Sequence, residues 1–195
     1  DTQFSGTINK ANSDIALVKS GSAALTLASN HTYMGGTTVS EGTLTVGGGG
    51  ESGFVLGDIV NNASLIIDRS DSVTFEGLIS GSGSLKVTNT NVVTLTANNT
   101  FSGTTTIDSG STLSLGNDGS TGAVAGVISN NGTLRYNRSD DIVLDTVVSG
   151  TGNLQHSGSG TLTLTANNSF SGSTTVDSGS TLYIGNESSS GSIVG

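Results

Sequence analysis

The side chains able to do chemistry are few. Across 195 residues there are no cysteines, two histidines, fifteen Asp and Glu, and six Lys and Arg. Cleaving a polysaccharide would call for clustered Asp, Lys or Arg on one face, with paired carboxylates in an inverting hydrolase. Asp140-Asp141 is the one adjacent acidic pair. It follows Arg138 in a short polar stretch, and neighbours on an extended chain point to opposite faces. It is predicted to be a solvated turn. His31 and His156 fall at different positions of the repeat described below and are expected at the surface. No Ser-His-Asp grouping carries a nucleophile-elbow signature. Asp108 and Asp177, in Ile107-Asp108-Ser109-Gly110 and Val176-Asp177-Ser178-Gly179, could bind Ca²⁺. The glycine-rich nonapeptide of calcium-binding β-rolls is missing, so a turn-forming role is expected. Gly47-Gly48-Gly49-Gly50 lacks the Lys-Ser/Thr of a phosphate loop and reads as a loop between coils. No catalytic, cofactor-binding or metal-binding residue is assigned, and no cofactor.

The elements that carry these residues show themselves as a repeat. Thr94-Leu95-Thr96-Ala97-Asn98-Asn99-Thr100-Phe101-Ser102-Gly103 returns, at an offset of 69, as Thr163-Leu164-Thr165-Ala166-Asn167-Asn168-Ser169-Phe170-Ser171-Gly172. Asn61-Asn62-Ala63-Ser64-Leu65 returns as Asn130-Asn131-Gly132-Thr133-Leu134, and Arg69-Ser70-Asp71 as Arg138-Ser139-Asp140, at the same offset. A more diverged copy, Leu27 to Tyr33, precedes the one at Leu95 by an offset of 68. The repeats are read as 1–44 (partial), 45–113, 114–182 and 183–195 (partial). The last stops at Ser192-Ile193-Val194-Gly195, part-way through, so both ends are expected to be cut from a longer protein.

A finer rhythm runs inside. Leu44, Leu65, Leu85, Leu113, Leu134, Leu154 and Leu182 each follow a small turn residue and one spacer, with steps of 21, 20, 28, 21, 20 and 28. Val, Leu and Ile alternate with Thr and Ser, no segment has a helical period, and there is no Pro to interrupt pairing. One coil on a step of 20 to 28 cannot bury its own apolar face, whereas stacked coils can. The expected fold is an all-β right-handed parallel β-helix. The Leu series is expected to form one inward column, with three unequal coils per repeat and equivalent residues of successive repeats on one face. An antiparallel sandwich would explain the alternation but not the Leu rhythm. Tyr33, Phe101 and Phe170 share a repeat position and are read as anchors under a turn rather than a binding stripe. The run Thr104 to Thr106, with the Thr pairs at Thr37-Thr38 and Thr174-Thr175, comes once in three coils, too sparse for a water-ordering array.

The stretch from Gly160 to Leu182 resembles the passenger-associated strand repeat of bacterial autotransporters. So do Val93 to Leu113 and, more loosely, Leu25 to Leu44. The resemblance implies a Gram-negative surface protein, with a signal peptide and a long β-helical passenger. It also implies a C-terminal translocator barrel of the same polypeptide, anchoring the passenger at the outer membrane. It says nothing specific about activity.

The net charge of −9, with no basic cluster, makes nucleic acid and anionic membranes poor partners. Without cysteine the chain makes no disulfides or thiolate metal sites, which suits export across an oxidising periplasm. The expected function is a non-enzymatic adhesin or adhesin stalk, binding host cell surface or matrix, or like rods. The alternative is a stalk presenting a protease or lipase domain outside these residues.

Overall fold

The computed structural model describes residues 1–9, 15–89 and 92–193. They form a parallel β-helix of about nine turns whose named strand pairs are all parallel. Each full coil passes three faces in turn. The first face is a nine-stranded sheet from Thr2–Phe4 to Ser169–Phe170. The second is a six-stranded sheet from Val73–Phe75 to Thr174–Val176. The third holds two sheets. One has four strands, from Leu17–Lys19 to Ile79–Ser80, and the other three, from Ile142–Leu144 to Thr181–Ile184. At a parallel-strand spacing of about 4.8 Å, nine turns make a rod about 38 Å long between first and last strand.

The Leu rhythm predicts inward-facing leucines, and Leu44, Leu65, Leu85, Leu113, Leu134 and Leu154 are buried. Leu182 in the last coil is half-buried against the same core. Their stacking differs from the single column expected. Leu25, Leu44, Leu65 and Leu85 stack on the first face, where Thr105 and Ile128 continue the column. Leu113 stacks between Val93 and Leu134 on the second face, and Leu154 follows. Leu182 stacks on Leu162, on the third.

The coils therefore do not follow the 21, 20, 28 steps of the leucines. Stacked strand partners differ in number by only 19 to 23, the extremes being Leu25↔Leu44 and Thr105↔Ile128. A step of 28 is one coil plus the passage to the next face. The 69-residue repeat spans three coils and about a third of a fourth, so its equivalent residues sit on successive faces, about 16 Å along the rod.

Several features repeat with this screw. Asn61 and Asn130 are fully buried, each donating Nδ2–H to a carbonyl of the next coil, Ser84 or Asn153, at 2.8 Å. The apolar segment Ala123 to Ile128 forms only an isolated bridge at Ala123 before the strand Ile128–Asn130. It carries the looser backbone of a sheet interruption described below. Val194 and Gly195, the end of the last partial repeat, lie outside the described residues.

Candidate interaction surface

The sequence-selected groups are mostly consumed in holding coils together. Arg138 is buried, and its guanidinium donates to the carbonyls of Ser120 (2.7 Å) and Gly122 (3.2 Å) and to both carboxylate oxygens of Asp140 (2.8 and 2.6 Å). Arg69 makes the same set with Glu51, Gly53 and Asp71. Each arginine clamps a short loop, 47–53 or 116–122, closed by glycines at both ends. Gly47 and Gly116 sit at φ of 103° and 89°, a region closed to most side chains, and a Cβ at Gly53 or Gly122 would overlap the backbone of its partner glycine. This explains Gly47, the first residue of the tetraglycine, and its equivalent Gly116.

Asp140 is thus a clamp partner, with Arg138 holding its carboxyl below the usual range. Asp141 accepts the Thr161 N–H of the next coil at 2.8 Å. Neither is simply solvated. Asp108 and Asp177 do sit in turns, the backbone carbonyl of each accepting an N–H, from Ser111 and Ser180 respectively. Burial pushes the Asp108 carboxyl up. Hydrogen bonds from Lys86 and Thr88 and the Lys86 charge outweigh that and hold it below the usual range. Gln155 donates to Asp177 at 3.1 Å.

Both histidines are buried, against the surface placement expected of them. His156 donates Nε2–H to the Gly160 carbonyl at 2.8 Å. His31 accepts the Ile8 N–H on Nδ1 at 3.1 Å, while its Nε2 has no partner and burial lowers its pKa. It fills the slot of Asn99 and Asn168, which accept the Ile79 and Val148 N–H groups in the same way. Tyr33, Phe101 and Phe170 are buried anchors, as read from the sequence. The Thr pairs split between inside and outside. Thr105 is buried, and Thr37 is buried against the Tyr33 hydroxyl at 2.7 Å.

What remains outside is a long polar flank. On the first face, Thr26 lies beside Thr45, Thr106 beside Ser129 and Ser149 beside Ser169, all outward. The described basic side chains are largely spent. Lys19 is buried against three carbonyls, Arg69 and Arg138 are clamps, Lys86 pairs with Asp108, and Arg135 donates to Gln155. The carboxylates thus dominate the outer charge.

The second and third faces each carry an interruption that sequence reasoning missed. Val73–Phe75 and Ile142–Leu144, equivalent segments of successive repeats, are the first strands of their sheets. Among the described residues no backbone hydrogen bond joins 53–57 to 73–77, or 122–126 to 142–146. The carbonyls of Phe75 and Leu144 accept from the next coil, from Thr96 and Thr165. By alternation, the N–H and C=O of Thr74 and Val143 face the gap. Each gap is a groove. The first, about 390 Å³, is lined by Phe54, Leu56, Phe75 and Glu76. The second, about 240 Å³, is lined by Val124, Ala125, Tyr136, Val143, Asp145 and Thr146. The hydroxyls of Tyr136 and Thr146 are buried there without a partner, and burial raises the Tyr136 pKa so that it stays protonated. The available signal was the loss of strict alternation at Gly53-Phe54-Val55-Leu56-Gly57 and Gly122-Ala123-Val124-Ala125-Gly126.

A family model described as passenger-associated-transport-repeat matches residues 17–46, 85–115 and 154–184. An adhesin autotransporter of Brucella suis, BmaC, is 47% identical over 53 residues. That match covers 27% of this chain and 2% of the relative's length. No solved structure matches. The three family matches begin at 17, 85 and 154, in step with the repeat and with the screw that carries each copy to the next face. The chain carries passenger-associated repeats on a parallel β-helix and is similar, over these stretches, to the passengers of autotransporters.

Proposed function

We propose that this segment is an adhesive rod, displayed at the outer membrane of a Gram-negative bacterium by a translocator barrel of the same polypeptide. It binds host cell surface or matrix, or like rods, through its side. The observation that carries this is the polar outer flank on a continuous parallel core. Buried asparagines, clamps and turns use their polar groups internally, while ladders of Thr and Ser remain outward along one face. Such contacts are individually weak and add up along a rod. BmaC, the similar protein, is an adhesin, which agrees with this reading. The rod acts mechanically and by contact rather than by turnover.

The excess negative charge opposes lateral approach of like rods at low salt and permits it when screened, over a Debye length of about 8 Å at physiological ionic strength. The test is to display the segment on a non-adherent bacterium. Clumping and attachment to host cells or matrix are measured against salt and against Asp177→Lys. Attachment that rises with salt for like rods, or appears on host surfaces, supports the proposal. Cells that neither clump nor attach at any salt reduce the segment to a spacer.

A further inference from the structure

We infer that the two grooves are binding sites for an extended, lysine- or arginine-bearing segment of a partner protein, one site per 69-residue repeat. This rests on the adhesive reading and names the chemistry of its partner. Three observations converge on each groove. The first is an open strand edge. The N–H and C=O of Thr74 or Val143 face the gap without a rung, and such an edge takes up an extended backbone. The second is an apolar wall, Phe54 and Leu56 in one groove and the smaller Ala123 and Ala125 at the same repeat positions in the other, suited to the methylene stem of a long basic side chain. The third is a carboxylate at the same repeat position on the rim, Glu76 or Asp145, each exposed and with no hydrogen bond or ion pair to the rest of the chain.

Charge complementarity selects the occupant. The chain carries −9 overall, and its described basic side chains are buried, paired or hydrogen-bonded, so an acidic partner is repelled and a basic one is drawn in. Arg138 borders the second groove, but Asp140 neutralises it at 2.6 Å. Because the repeat turns by one face, the two sites look out in different directions. A single peptide fills one site, and a multivalent partner must wrap the rod to fill both.

The test uses the whole chain and a fluorescent ten-residue peptide of alternating Lys and Val. Binding is read by anisotropy at low salt, and the site by amide chemical shifts. Controls are a Glu/Val peptide, an N-methylated Lys/Val peptide and maltohexaose. The Lys/Val peptide should bind saturably, shifting 54–57, 73–77, 122–125 and 142–146. Glu76→Gln with Asp145→Asn should weaken it by about two- to fivefold at each groove, and N-methylation should weaken it further. The proposal fails if the double variant binds as well as the parent, if the shifts fall outside the grooves, or if maltohexaose shifts the groove residues and the peptide does not. Displayed cells bearing the double variant separate the two readings. Attachment retained by them leaves the adhesin standing with these grooves removed from it.

Discussion

Replacing Arg138 by Met tests whether the buried clamps, rather than the surface ion pair they include, hold the loops to the rod. The change keeps most of the side chain's length and its packing while removing the guanidinium. Two carbonyls lose a charged donor. Ser120 is exposed, so water replaces the bond at little cost. Gly122 is buried, and its carbonyl is left without the Arg138 donor at 3.2 Å, which costs about 1–3 kcal/mol. The Asp140 side chain is 38% exposed, so its pair with Arg138 contributes at most about 1 kcal/mol. The expected loss is therefore about 1–4 kcal/mol. Arg138→Lys should recover little of it, because an ammonium cannot span both carbonyls and the carboxylate. Arg69→Met should cost a similar amount by the same contacts with Gly53 and Glu51, and the two losses should add, the sites being three coils apart. Urea unfolding followed by circular dichroism measures all four proteins. An Arg138→Met loss under about 0.5 kcal/mol, or one matched by Asp140→Asn alone, would refute the reasoning.

Three further outcomes are expected. His31 is neutral and buried with its pKa below the ordinary 6.5, so its contribution is intact above pH 6.5 and is lost as pH falls through the lowered folded-state value. His31→Asn, which installs the residue found at positions 99 and 168, should abolish that share of the acid sensitivity. Equal losses of urea midpoint in both proteins between pH 7.5 and 5 would contradict it. Leu113→Ala should cost about 2–5 kcal/mol and Leu113→Asp more, while Leu182→Ala, half-buried in the last coil, should cost clearly less in the same melts. Gly122→Ala should destabilise the 116–122 loop and raise its hydrogen exchange, because a Cβ there meets the Gly116 backbone; unchanged exchange would sink the loop description.

Much of the core was legible because a parallel coil places an apolar residue at most of its inward positions. The Leu rhythm reports that requirement directly, and so do the buried Tyr33, Phe101 and Phe170. The phase was harder to read, because every face takes the same small-spacer-Leu pattern. The step of 28 from Leu85 to Leu113 looks like one long coil. The hint lay in its excess over the step of 20 before it, which is close to the length of one face and its turn. Thr105, the true stacking partner of Leu85, carries no hydrophobic signal. The clamps were visible as the repeated Arg-Ser-Asp, but burial of an arginine depends on distant carbonyls, those of Gly122 and Ser120 for Arg138, which composition does not reveal. The histidines were misjudged because His31 stands in for an asparagine whose backbone-satisfying role appears only once coils are stacked. The grooves were missed because they arise from hydrogen bonds not made, and a sequence records residues rather than rungs.

The screw between the 69-residue repeat and the rod decides which side chains share a face, and paired cysteines test it most directly in a chain that has none of its own. In Lys86→Cys with Thr106→Cys, the two residues are neighbours in adjacent strands of the first face. At a strand spacing of about 4.8 Å they lie within disulfide reach. In Lys86→Cys with Ser114→Cys, the second position lies on another face, beside Thr94 and Arg135. Mild oxidation should close the first pair and leave both thiols of the second reduced, as alkylation after unfolding reads out. An intramolecular disulfide in the second pair and none in the first would restore the long coil from Leu85 to Leu113 and overturn the account.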